Sequence, residues 1–298
     1  MAHGVFVGLS TIDLVYSVDD LPAANTKIAA AGQEVFVGGP ATNAAIAFTH
    51  LGGKAVLASA VGRHALAAVI RSELERFSIR HLDLSPGFDG VPAISSVTVD
   101  KAGRRNVVSA NAVRMAALSL AVDPGILAQA GIVLLDGHSM PACRAWAAAA
   151  RAHHTPVVLD GGSWKDGTAG LLACVHTIIC SADFAPPGCA DEDETIRYLK
   201  DAGVKNVAIT HGGDPIRFMA GQSSGTLRVP QVQAVDTMGA GDILHGAFCY
   251  FASTGRGFAA ALAEAANVAS ASCRFAGTRE WMKHFSPASS VAPPPAIP

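Results

Sequence analysis

Short, unbroken apolar runs recur along the chain, separated by stretches with helical spacing. "VFVG" at 5–8, "AVLASAVG" at 55–62, "GIVLLD" at 131–136, "PVVLDGG" at 156–162, "VHTIIC" at 175–180 and "NVAIT" at 206–210 read as strands buried on both faces. Between them, "PATNAAIAFTHLGG" (40–53) has proline at its start and glycine past its end, which marks a helix. "ALAAVIRSELERF" (65–77), "PACRAWAAAARAHH" (141–154) and "DEDETIRYLKDAG" (191–203) are amphipathic. Strands alternating with helices predict an α/β fold, a mostly parallel sheet covered by helices on both faces. Two places break the rhythm. "DLVYSVDDLP" with "KIAAAGQEVFV", and "ISSVTVDKAGRRNVVSA" turning at "KAGR", predict hairpins of a small separate sheet. A third hairpin, "IRFMAGQSSGTLRV", follows at 216–229.

This pattern sets one large domain over residues 1–285, with the small sheet drawn from about 14–37 and 92–110. The tail 286–298, rich in Pro, Ser and Ala, reads as an extension. Of the 298 residues, 50% are hydrophobic and 15% charged, and the formal net charge is −2, so no basic footprint points to nucleic acid or an anionic membrane. The most apolar long stretch, 259–275, carries Glu264, Asn267 and Arg274 and reads as a buried helix rather than a membrane span. The amino end lacks the pattern of a secretory signal. Six scattered cysteines without a CxxC pair fit a reducing compartment, and a cytoplasmic location is the expectation.

The candidate chemistry gathers at "AVDTMGAGDILHGAF" (234–248). Gly239, Ala240 and Gly241 place consecutive amides at the start of an apolar helix, an arrangement suited to a phosphate. Asp242 follows directly, as a helix cap or as a base facing that phosphate. Asp236 reads equally as a cap, a support for the turn or a direct participant. No G-x-G-x-x-G follows the first strand, which argues against a dinucleotide enzyme. Asp13 comes after that strand, at the edge where open α/β sheets bind ligands. Gly38 and Gly39 allow close approach of a substrate, and Asn43 can donate and accept, or simply face solvent on its helix.

"VDTMGAGD" resembles the carboxyl-terminal signature of the ribokinase-like (PfkB) carbohydrate kinases. "VGLSTID" at 7–13, "GGPATNAA" at 38–45 and "ITHGG" at 209–213 match further motifs of that family, in the same order. The resemblance spans roughly residues 3–280 and implies a ribokinase-like fold with a β lid over a sugar or nucleoside, and phosphoryl transfer from ATP with Mg2+. It implies Asp242 as the catalytic base and the amides of Gly239, Ala240 and Gly241 as the anion hole. Asp13, Gly38, Gly39 and Asn43 would hold the sugar. Thr210 and Gly212 would line the nucleotide loop and Asn267 the adenine pocket, unless Asn267 is a plain polar residue on a helix face. Lys27 would meet a charged substituent or stand as an exposed lid lysine, and Lys165 is solvated unless it reaches a phosphate. His211 and His245 flank motifs without metal-ligand spacing. A monovalent-ion site and dimerisation through the lid occur among relatives.

The chain also departs from the family pattern. An Asn-x-x-Glu linked to magnesium is replaced by "SADF", with Ser181 and Phe184. His64 and Ala67 stand where Asp and Gly are usual, and Pro215 where a third glycine is usual. "SADF" and "GGPATN" look more like the ketohexokinase and sulfofructose-kinase branch. The alternatives are a nucleoside or sugar-phosphate kinase, and a catalytically silent binding homologue.

Overall fold

The computed structural model describes residues 1–110 and 118–285. β1 (His3–Gly8) starts the main sheet, and the chain then leaves it through β2 (Thr11–Val18) and β3 (Gly32–Gly38). It returns by α1 (Pro40–His50), β4 (Lys54–Ser59), α2 (Ala67–Arg76) and β5 (Arg80–Asp83), then leaves again for β6 (Ile94–Asp100) and β7 (Arg105–Ser109). A regular alternation follows: α3 (Pro124–Leu127), β8 (Ile132–Leu135), α4 (Met140–Ala152), β9 (Val157–Gly161), α5 (Ala169–Leu172), β10 (Thr177–Ser181), α6 (Glu192–Asp201) and β11 (Asn206–His211). β12 (Asp214–Ala220) and β13 (Ser223–Leu227) form the third hairpin, and α7 (Ala240–Ser253) and α8 (Phe258–Ser272) complete the body.

The main sheet has nine strands in the order β13-β12-β11-β10-β9-β8-β1-β4-β5. All neighbours are parallel except β11–β12 and β12–β13. Strand order reverses between β1 and β8, so a crevice opens beyond their carboxyl ends, the place where such sheets bind ligands. Alternate residues of the central strands serve opposite faces. Phe6 packs into a cluster with Phe48, Leu57 and Phe248, under α1, α7 and α8, while Val5 and Val7 join Trp146, Leu159 and Leu171. Both clusters are fully enclosed, which explains why these strands read as continuous apolar runs rather than alternating ones.

The second sheet has the order β3-β2-β6-β7, with the expected hairpins joined by parallel pairing of β2 and β6. The "KAGR" turn is held by Asp100, whose side chain accepts from the amides of Ala102 and Arg104, both at 2.9 Å. Among the described residues no helix is long and apolar enough to cross a membrane, and the 259–275 stretch lies largely within α8. All six cysteines are free. The tail expected over 286–298 lies outside the described residues.

Candidate active site

Helix α7 starts at a left-handed glycine, Gly239, at φ 68°. A β-carbon there would stand 2.8 Å from Thr278 Cγ2, so the turn requires glycine twice over. Ala240 donates its amide back to the Thr237 carbonyl at a long 3.3 Å. Gly241 differs: beyond its chain neighbours and its own helix backbone, a β-carbon on it would meet nothing within 4 Å. Asp236 resolves as the support of the turn. One of its oxygens accepts from the Met238 amide at 2.9 Å and the other from the Gly277 amide at 2.8 Å.

Asp242 stands in the first turn of α7 without capping it, because Gly239 holds the cap position and no side chain bonds there. Its Oδ2 accepts from Asn43 Nδ2 at 2.7 Å. That contact depends on the close crossing of α7 over α1, where a β-carbon on Gly246 would fall 2.2 Å from the Ala44 carbonyl oxygen. Asn43 is buried and faces the site, not solvent. Burial pushes the Asp242 carboxyl up to about 7, with the Asp160 and Asp136 carboxylates adding to the rise and the Asn43 bond and His245 opposing it.

Three residues of this neighbourhood receive no role from the linear pattern. Asp136, at the end of β8, is buried and bonds the amides of Leu9 at 2.8 Å, Ala41 at 3.2 Å and His138 at 2.9 Å. It thereby pins the end of β1 to the start of α1. Asp160, in β9, lies 3.6 Å from His245 Nδ1. His245 faces two carbonyl oxygens, Gly241 at 2.7 Å and Ile179 at 3.1 Å. The visible signal for the two aspartates is that each follows an apolar strand run, "IVLLD" and "VVLD".

Asp13 lies within β2, the strand that follows β1, paired with Phe36 and Ser95. Burial raises its carboxyl, while bonds to Ser95 and Thr11 and the charge of Arg279 work against the rise. Its oxygen fills the space a β-carbon on Gly38 would need, at 1.9 Å. Gly39 takes φ 98°, and a side chain there would run into the Leu9 carbonyl at 2.2 Å. Lys27 lies exposed between β2 and β3.

Farther along the main sheet, Thr210, next to last in β11, donates to the Cys180 carbonyl at 3.1 Å. Gly212 follows in an open left-handed turn at φ 63°, and His211 is bonded to Glu192. Asn267 is exposed on α8, and Lys165 is half-buried with Nζ 3.5 Å from the Ser163 carbonyl. Ser181 donates to the Gly162 carbonyl at 2.8 Å. Phe184 is a core residue, edge-on to Trp164 with ring centroids 5.4 Å apart. Among the described residues no group of three or more His, Cys, Asp or Glu is placed to hold a metal ion.

The family model of the pfkB family carbohydrate kinases matches residues 1–284. The chain belongs to that family. The kinase shares its fold with a candidate ribokinase of Agrobacterium tumefaciens, at TM-score 0.82 and 24% identity over 97% of this chain and 96% of that one. Ribokinase of Arabidopsis thaliana, solved with ribose and ATP, gives TM-score 0.80 at 20% identity, covering 97% of each chain. The adenosine kinase of Sinorhizobium meliloti gives 0.78 at 18%, covering 97% of this kinase and 98% of that chain. Sugar and nucleoside kinases thus share one architecture here, and the fold alone does not select an acceptor.

Proposed function

We propose that this kinase transfers the γ-phosphoryl group of ATP to a hydroxyl group of a sugar, with Asp242 as general base. The observation that carries the reading is the Asp242 carboxyl, pushed up to about 7 in the first turn of a helix whose amino end is open at Gly241. A base with that affinity for protons is matched to a neutral operating pH. The carboxylate takes the hydroxyl proton as the sugar oxygen bonds to phosphorus and the bond to the ADP oxygen breaks. Charge developing on the phosphoryl oxygens meets the amides of Gly239, Ala240 and Gly241 and the positive end of the α7 dipole. Asp13, Gly38, Gly39 and Asn43 form the sugar's side of the cleft, with Lys27 at its outer rim. One N–H of the Asn43 amide is already given to Asp242, which leaves a second for a substrate oxygen. Thr210, Gly212 and Asn267 serve the nucleotide.

Magnesium enters with ATP and neutralises phosphate charge, as the chemistry demands. Phe184 packs in the core where relatives have the glutamate, so activation by the metal is weakened but the requirement persists. Turnover unchanged in excess chelator would overturn this. A monovalent ion beside the catalytic turn is tested by exchanging potassium for tetramethylammonium. The ketose branch is supported by "SADF" and "GGPATN". Six free cysteines support a cytoplasmic site of action.

A screen of ATP consumption over sugars, sugar phosphates, sulfosugars and nucleosides tests the acceptor class. ADP release that depends on a sugar or ketose sustains the proposal. Turnover confined to nucleosides moves the chain to that class, and ligand binding without any turnover makes it a silent homologue.

A further inference from the structure

Arg279 reaches the catalytic pair from a part of the chain that no recognised motif covers. Its guanidinium donates to Asn43 Oδ1 at 3.0 Å, to the Val37 carbonyl at 2.6 Å and to the Thr278 carbonyl at 3.2 Å. Its Nε meets Glu73 Oε1 at 3.2 Å, and the Phe77 ring lies 5.9 Å away. The side chain is 14% exposed and that of Glu73 18%, so this is a largely dehydrated ion pair. Four separate pieces of structure therefore end on one side chain: α1 through Asn43, α2 through Glu73, the end of β3 through Val37, and the Gly277–Thr278 turn.

We propose that Arg279 is a positioning residue that fixes which way the Asn43 amide faces, and thereby holds the Asp242 carboxylate in register with the end of lid strand β3. The reasoning rests on donor and acceptor inventory. Arginine has five N–H donors and no acceptor, so the Asn43 atom facing it must be the oxygen. The NH2 group is then forced to the opposite side, where Asp242 Oδ2 stands at 2.7 Å. Without Arg279 the amide is free to turn over and accept from the protonated Asp242 carboxyl, a bond that favours the neutral acid. The Val37 bond adds a second consequence. Val37 lies two residues before Gly39, so the same guanidinium sets the close approach of the lid strand to the sugar side of the cleft. Lysine cannot reproduce this, because a single ammonium lacks the planar fork that spans Asn43, Val37 and Glu73 together.

The charges around Asp242 give the effect its sign. Asn43 from α1 and His245 from α7 favour the ionised carboxylate, and Asp160 from β9 and Asp136 after β8 oppose it. Arg279 in turn feels Glu73, Asp242 and Asp13. Its removal takes away a cation and the enforced Asn43 donor, so Asp242 should hold its proton to higher pH.

The inference rests on Asp242 acting as the base, so its test includes a measurement that does not depend on turnover. Carboxyl 13C NMR titration of Asp242 is compared in the wild type, Arg279→Ala, Arg279→Lys and Glu73→Gln, beside kcat and KM as functions of pH. Arg279→Ala should shift the Asp242 titration upward and lower kcat at neutral pH roughly ten- to a hundredfold, the usual weight of a hydrogen bond to a charged group. Activity should recover in part at higher pH, and KM for ATP should stay near its wild-type value. Millimolar guanidinium should restore part of the rate, because a cavity of about 870 Å3 lined by Arg279, Glu73, Phe77 and Met282 gives it access. Arg279→Lys and Glu73→Gln should fall between these limits, and they serve if the alanine variant does not fold. An unshifted Asp242 titration in the folded variants overturns the proposal. If Asp242→Asn keeps its turnover, the base assignment fails instead, and the NMR shift still decides the role of Arg279.

Discussion

Asp242 and Gly241 are adjacent, and substitution separates what each does. Asp242→Asn keeps size and the capacity to cap but cannot take a proton. Turnover should fall by about 10²–10⁴ while ATP and sugar still bind, measured by steady-state kinetics and calorimetry. Near-normal turnover in the folded protein would refute the base. Gly241→Ala asks whether that glycine serves the fold or a ligand. Apart from its own helix backbone and chain neighbours, nothing lies within 4 Å of the added methyl, and alanine is the better helix former by about 1 kcal/mol. The variant should melt higher than wild type and transfer phosphate more slowly, because the methyl enters the space assigned to the phosphoryl group. A variant that is both stabler and fully active would mean that the space is empty in catalysis. Asp242, Asn43 and Asp13 stand out as candidates because each sits inside a short motif whose spacing encodes local geometry. Arg279 does not: its partner Asn43 is 236 residues away, and linear spacing carries no trace of such a pairing. The contact of Asp13 with Gly38 was hidden as well, because a carboxylate facing a glycine across a strand pair is visible only once the register is known.

At the level of elements, the helices and strands of the α/β body followed from periodicity because burial on both faces leaves unmistakable apolar runs. The short pieces α3, α5 and β5 lack enough residues to show a period, which is why the pattern passes over them. Helix packing was equally hidden, since Gly246 reads as an ordinary helical glycine until α1 is laid against it. Gly246→Ala should force α1 and α7 apart, because the methyl would stand 2.2 Å from the Ala44 carbonyl. Overpacking of this kind costs about 1–3 kcal/mol. The loss of kcat should exceed what the reduced folded fraction explains, since the same displacement separates Asn43 from Asp242. Equal losses in stability and in active fraction would place no catalytic weight on the crossing. Among the described residues β7 is an outer strand of the second sheet, and its Val107 is 55% and Val108 75% exposed. Exposed apolar edges invite pairing, and a second copy of the chain is the proposed occupant. Sedimentation should show dimers that Val108→Lys dissociates, and a monomer at all concentrations would remove the idea.

The whole molecule inherits a pH dependence from the Asp242 carboxylate. Asp242 rises from an ordinary 3.8 to about 7 on folding. The native state therefore binds this proton more tightly than the unfolded chain does. The stability linked to the group is fully present below pH 4 and is lost as pH climbs through 7. Asp242→Asn has no such loss. In scanning calorimetry its melting temperature should draw ahead of wild type between about pH 4 and 7 and hold that lead above. A lead that does not change with pH would show that the carboxylate is as well hydrated in the native state as in the unfolded one. The wider consequence concerns selection. A library of this chain screened for heat resistance at neutral pH would favour replacement of Asp242 and Gly241 early. The survivors would be the most durable and the least active members of the population, so such a screen needs turnover as a second criterion.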